Sequence, residues 1–130
     1  MIITTGLDDF PTALSTPILL ADGRTVIAAI HATTPGTSEI AYSAAYIVST
    51  ANVASKVLTS ERLGKDIACS LDLVGTTLRL WVTEAVPGGS GSTANLHRYE
   101  MGIGIGAMSN SSGSVVALCR ALISALQPFA

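Results

Sequence analysis

Lys65-Asp-Ile-Ala-Cys-Ser-Leu-Asp-Leu-Val-Gly-Thr-Thr-Leu-Arg-Leu-Trp-Val-Thr83 is the stretch whose reading decides the fold. With Gly75-Thr76 at a turn, Leu73 falls opposite Leu78, Leu71 opposite Leu80 and Cys69 opposite Val82. Side chains alternate between the two faces of a strand, so these residues share one face. The other face then sets Asp72 against Arg79 and Ser70 against Trp81. One register places apolar beside apolar and acid beside base, and a slip of one residue would undo both. The stretch is predicted to be an antiparallel hairpin with one buried and one polar face.

Downstream, Pro87-Gly-Gly-Ser-Gly-Ser-Thr93 reads as a flexible loop. Arg98–Ala107 then alternates: Tyr99, Met101, Ile103 and Ile105 point one way, and Gly102, Gly104 and Gly106 the other. Glycine weakens an isolated strand, so a row of them predicts close approach by another backbone or element. Ser109-Asn-Ser-Ser-Gly-Ser114 offers helix N-cap residues. From there Val115, Leu118, Cys119, Leu122 and Leu126 recur at helical spacing, with Arg120, Ser124 and Gln127 elsewhere on the wheel. A helix over 114–127 is predicted, ended by Pro128.

Upstream, Asp22-Gly23 between two apolar runs signals a hairpin with a two-residue loop. That loop pairs Ala21 with Arg24, Leu20 with Thr25 and Leu19 with Val26. Thr33–Ser38 breaks the chain, 39–50 suit a further strand, and 51–64 are ambiguous. Residues 1–16 read as an N-terminal arm or extra strand. Neither an internal repeat nor a domain boundary is evident, so 1–130 is one domain with its sheet over 17–107.

At 130 residues the chain is long enough to bury a core. Hydrophobic residues make up 48% and charged residues 12%, about half the usual charged share. A surface so poor in charge suits a chain whose faces are consumed by partners, or else an ordinary secreted β domain rich in Ser, Thr and Ala. The net charge of −2 supplies no global field for nucleic acid, so any such contact must be local. Cys69 and Cys119 have neither metal nor CxxC spacing and are expected as buried free thiols. Met-Ile-Ile-Thr-Thr lacks a basic leader and no apolar run reaches a membrane span, so an unexported, soluble chain is expected.

No catalytic constellation is found. Gly102-Ile-Gly-Ile-Gly106 is GxGxG inside a strand, not the GxGxxG of a nucleotide loop. His31 and His97 lack neighbours at ligand spacing, Asp8-Asp9 reads as a solvated turn or a helix N-terminus rather than half of a carboxylate site, and no GxSxG elbow exists. Asn110-Ser-Ser112 matches a glycosylation acceptor, which has no use in an unexported chain. Neither cofactor nor metal nor small-molecule substrate is therefore expected. Trp81, the single tryptophan, falls on the hairpin's polar face with Arg79. It is either a brace for the sheet or a stacking platform for a base or sugar. Lys56, Arg62 and Lys65 form a loose basic group before the hairpin, a solvated turn or a phosphate contact.

From about Gly64 to Leu126 the chain resembles the coat proteins of single-stranded RNA bacteriophages. The residues that carry this are the hairpin of 65–73 with 77–82, the loop Pro87–Thr93, the strand Arg98–Ala107 and the helix after a Ser-Asn-rich joint. The resemblance implies an α+β, mainly β subunit: one antiparallel sheet of about five or six strands with a C-terminal amphipathic helix. A helix only about 10–12 Å across cannot cover such a sheet, so dimerisation would complete it. Leu71, Leu73, Leu78, Leu80 and Val82 would pack beneath Val115, Leu118, Leu122 and Leu126 of the helices. Ser70, Arg79, Trp81 and Thr83, with Lys56 and Arg62, would face packaged genomic RNA through weak contacts summed over a shell. The implied setting is a virion capsid assembled in a bacterial cytoplasm, with no membrane partner. Residues 40–107 also look like β-sandwich domains of tailed-phage fibres, appendages or decorations, and a carbohydrate-binding β module is the non-viral alternative.

Overall fold

The computed structural model describes residues 3, 5–33, 40–64, 66–85 and 94–108. The described part is mainly antiparallel sheet. Its strands are β1 (Pro11–Leu14), β2 (Ile18–Leu19), β3 (Thr25–Ala32), β4 (Ala41–Val48), β5 (Ala54–Thr59), β6 (Ala68–Val74), β7 (Thr77–Ala85) and β8 (Ala94–Gly102). They divide into two sheets, not the single one expected. The first has the order β1-β3-β4-β5, with β2 continuing the β1 edge along β3; the second is β6-β7-β8. The predicted helix over 114–127 lies outside the described residues.

The β6–β7 hairpin has the register read from the sequence: Leu73–Leu78, Asp72–Arg79, Leu71–Leu80, Ser70–Trp81 and Cys69–Val82 all pair. Gly75, at φ 62°, supplies the left-handed turn residue. Its apolar face meets the first sheet. Leu78 packs with Leu20, Val26 and Ala45, and Leu80 and Val82 pack with Ala28 and Leu63. Leu78, Leu80 and Val82 are fully buried, each burial contributing roughly 1.5–3 kcal/mol. The cover expected from a second subunit's helix is thus supplied in these contacts by the chain's own other sheet. A sheet with one apolar face requires a cover, but its identity is a long-range property that strand alternation does not encode.

β3 and β4 are buried on both faces, which is why they read as nearly continuous apolar runs. Val26, Ala28 and Ala45 face the second sheet. Ile27, Ala29, Ala44, Tyr46 and Val48 face outward, yet Ile3 and Leu7 of the N-terminal segment cover them.

The β2–β3 turn differs from the expected one by a residue. Leu19 pairs with Thr25 and Ile18 with Val26. Of the loop residues only Gly23 has positive φ, at 90°. The Gly23 amide donates to the Leu20 carbonyl, and the Leu20 amide to the Arg24 carbonyl. This is a three-residue loop closed by a glycine bulge, whereas the two-residue type I′ turn would need Asp22 left-handed as well. Asp22 instead accepts the Arg24 amide at 3.1 Å and its Nε at 2.7 Å.

β8 begins four residues before the expected strand and stops at Gly102. Gly104, at φ 74°, ends the extended run. A side chain at Gly102 or Gly104 would meet nothing within 4 Å; only at Gly106 does a backbone approach, with the Gly75 carbonyl 3.2 Å from the ideal Cβ position. The glycine row therefore marks a bend, not a packed face. Beyond it the chain returns to the first sheet: Ala21 donates to the Gly106 carbonyl and Met108 to that of Leu19.

Candidate functional site

The outer face of the second sheet carries the predicted polar cluster. Alternation puts Ser70 and Asp72 on β6, Arg79, Trp81 and Thr83 on β7, and Leu96, Arg98 and Glu100 on β8 all outward. Arg79 forks onto Asp72, with Nε donating to Oδ1 at 2.7 Å and Nη2 to Oδ2. That hydrogen bond, above all, holds the Asp72 carboxyl below its usual range. The Arg79 guanidinium lies 5.2 Å from the Trp81 ring centroid and that of Arg98 lies 5.5 Å away. Arg98 was not singled out from the sequence. It joins the cluster because the β7–β8 register sets it opposite Trp81, and the sequence between the two strands leaves that register open. Ser70, Asp72, Trp81, Thr83 and Leu96 border an open cleft of about 490 Å³. With Asp72 and Glu100 on the same face as Arg79 and Arg98, the cluster offers stacking and hydrogen bonding without a net field.

Lys56 and Arg62 do not join this face. Lys56 pairs across strands with Tyr46, on the outer face of the first sheet. Arg62 borders a separate cleft with Leu7, Asp8 and Tyr42. The predicted RNA-facing set is thereby split between opposite outer faces of the sandwich, because β5 and β6 belong to different sheets. Ser70, Arg79, Trp81 and Thr83 do share a face. Val115, Leu118, Leu122 and Leu126 lie outside the described residues, while Leu71 and Leu73 are half-buried between the sheets.

A second polar cluster escaped the sequence reading. Residues 5–10 cross the outer face of the first sheet, from β5 over β4 to β3. Thr5 bridges Val53, Ala54 donates to the Thr5 carbonyl at 2.9 Å and Ala32 to that of Phe10 at 3.0 Å. Between these ties the Asp8 amide donates to the Tyr46 hydroxyl at 3.1 Å. The Tyr46 hydroxyl reaches His31 Nε2 at 2.8 Å, and His31 Nδ1 donates to the Asp9 carbonyl at 3.1 Å. Asp8 Oδ2 accepts from Tyr42 Oη and from Lys56 Nζ, each at 2.8 Å. The Lys56 hydrogen bond is the main reason the Asp8 carboxyl sits below its ordinary range. Burial, with Asp8 as neighbour, pushes the Tyr42 phenol up to about 12. Burial also lowers the imidazole of His31, which is wholly inaccessible. The period-2 spacing of Tyr42 and Tyr46 on one strand was the available signal. The arm that completes the cluster comes from more than thirty residues away, with Asp8 and Tyr46 separated by 38 positions.

Cys69 is a free thiol, half-buried, and burial pushes its pKa up. Among the described residues no group of three or more His, Cys, Asp or Glu is placed to hold a metal. No family model matches the chain, and neither does any curated protein or any solved structure.

Proposed function

We propose that the chain is a virion structural protein, a coat subunit that pairs with a second copy along β8 and assembles into a shell. The observation that carries the reading is the β8 edge. β8 is nine residues long, and among the described residues only β7 pairs with it. An open edge of that length is a template for another strand. Its outward charges are self-complementary: antiparallel pairing about a dyad at Tyr99 sets Arg98 of each copy against Glu100 of the other. Such cross-strand pairs contribute roughly 0.2–1 kcal/mol each, enough to select register though not to drive association. The exposed Leu96, 62% accessible, adds apolar surface at the same edge.

In this reading Ser70, Arg79, Trp81 and Thr83 face RNA, while Arg98, only loosely held by Glu100 of its own chain, pairs with Glu100 of the second copy. Within one chain Arg98 lies 4.0 Å from Glu100, against the fork that occupies Arg79. With a net charge of −2, RNA uptake relies on many weak contacts and falls steeply with salt. A second reading is favoured by the two-sheet core: a sandwich whose apolar faces cover each other suits a fibre, appendage or decoration subunit of a tailed phage.

Electron microscopy and light scattering of the purified chain, with the 260/280 nm absorbance ratio, test these readings. Closed particles carrying RNA support the coat subunit. Fibres, or particles free of RNA, favour the second reading. A stable monomer at micromolar concentration rejects the coat subunit.

A further inference from the structure

We infer that residues 5–10 form a pH-sensitive strap, latched over the outer face of the first sheet while His31 is neutral and released when His31 takes up a proton. The inference stands on the proton inventory of the buried cluster and does not depend on the virion reading.

With His31 neutral, one arrangement satisfies every group. Nδ1–H donates to the Asp9 carbonyl, which can only accept. The tautomer is thereby set, and Nε2 accepts from the Tyr46 hydroxyl. The Tyr46 oxygen is then free to accept the Asp8 amide. Asp8 Oδ2 takes the Tyr42 proton and one from Lys56. Among the described residues no buried side-chain nitrogen or oxygen lacks a partner. Two of these bonds, from His31 to the Asp9 carbonyl and from the Asp8 amide to Tyr46, hold the strap's own backbone.

A proton on Nε2 breaks the sequence. Both ring nitrogens then donate, so the Tyr46 oxygen must accept from Nε2–H and from the Asp8 amide together. Its own proton loses the acceptor it had in Nε2, and the Tyr46 ring is packed among Ile27, Ala29, Ala44 and Val48. An orphaned buried donor is costly, and the cheapest relief is to lift the strap and admit water. The charges around His31 do not prevent this. Asp8 favours the imidazolium, but its carboxylate is already held by Lys56 and Tyr42, and Lys56 opposes it. Tyr42 and Tyr46 flank the ring with centroids at 5.2 and 5.9 Å. Asp9 contributes its carbonyl, and Arg62 acts on Tyr42. Burial is the largest influence on the ring and disfavours its charge.

The strap is built to lift as a unit. Gly6, at φ 103°, sits so close to Ala54 that a Cβ would lie 1.8 Å from the Ala54 carbonyl oxygen. Phe10, at the other end, also has positive φ, at 59°, and 42% of it is exposed. Backbone hydrogen bonds from Ala54 to Thr5 and from Ala32 to Phe10 hold the two ends, and the His31 cluster is the pH-sensitive tie between them. Release would lift Leu7 from its packing against the cluster of Ile27, Ala29, Tyr46 and Val48.

Hydrogen exchange of the full-length chain, followed by NMR from pH 7.5 to 5 and corrected for intrinsic rates, tests this. The Asp8 amide opening constant is expected to rise about tenfold per pH unit below the ordinary histidine value, levelling at the folded His31 midpoint. Amides of β3, β4 and β7 should keep their protection. His31→Asn retains a donor towards the Asp9 carbonyl but cannot titrate, so its strap should open to the same extent across the range. Should that variant fail to fold, the imidazole chemical shift of the unmodified chain replaces it. Its midpoint must coincide with that of Asp8 opening, and a mismatch overturns the inference. A flat profile in the unmodified chain, simultaneous loss of strap and core protection, or an acid rise that persists in His31→Asn overturns it equally.

Discussion

At the scale of single residues, the second sheet separates packing from surface chemistry along one strand. Leu78, Leu80 and Val82 are fully buried, while Arg79 and Trp81 between them face outward. Leu80→Ala should cost about 2–5 kcal/mol, lost transfer energy plus a cavity between two sheets that cannot both collapse inward. Urea unfolding of the two proteins reads this directly, and a change below about 0.5 kcal/mol would mean the inter-sheet packing is wrong. Arg79→Ala should lower the thermal midpoint only slightly, because its ion pair with Asp72 is solvent-screened. If the chain forms the proposed particles, their RNA content separates its roles: a fall means phosphate contact, and no change leaves Arg79 only its pairing with Asp72.

At the scale of elements, edges and turns decide what the strands do. β1 and β2 share one edge of β3, interrupted at Ser15–Pro17. Ser15 mends the gap: its amide donates to the Ala28 carbonyl and its hydroxyl accepts the Ala28 amide, both at 2.8 Å. β8 has no such repair among the described residues. On the proposed β8 self-pairing, Glu100→Arg should weaken association by placing like charges opposite each other, and Arg98→Glu with Glu100→Arg should restore it. Sedimentation velocity distinguishes these outcomes, and equal assembly of all three chains would show that β8 is not the interface. Elsewhere Glu84 staples the crossover between sheets, accepting the Gly64 amide at 2.9 Å and lying 3.1 Å from His97 Nε2.

At the scale of the molecule, the charged groups make stability fall on acidification. Asp8, Asp22, Asp72 and Glu84 all sit below their ordinary values, held by Lys56, the Arg24 amide, Arg79 and the Gly64 amide respectively. A carboxylate depressed in the folded state stabilises above its unfolded value, 3.8 for Asp and 4.5 for Glu here. That stabilisation disappears as pH falls through the folded value. His31 is lowered by burial, so its contribution is also complete above 6.5 and declines below it. Melting followed by circular dichroism should show a steady midpoint above about pH 7, a first decline below the histidine value and a steeper one in the carboxylate range. A midpoint that rises on acidification would contradict both effects.

The β6–β7 register was legible from residues 65–83 because one alignment satisfied both faces at once, and alternation is a local property. The strand nature of 41–48 and the hairpin at Asp22-Gly23 were equally local, though the loop there is one residue longer since a single left-handed glycine suffices to close it. Strand pairing alone could not say that Leu78 meets Val26 or that Lys56 and Arg79 lie on opposite faces. Nor could it say that Asp8 closes over His31 and Tyr46. Those neighbours are far apart in the chain, and a residue's hydropathy states that it needs a cover without naming which one. Only packing two sheets face to face, with the arm laid across the first, assigns each apolar face its cover and each buried polar group its partner.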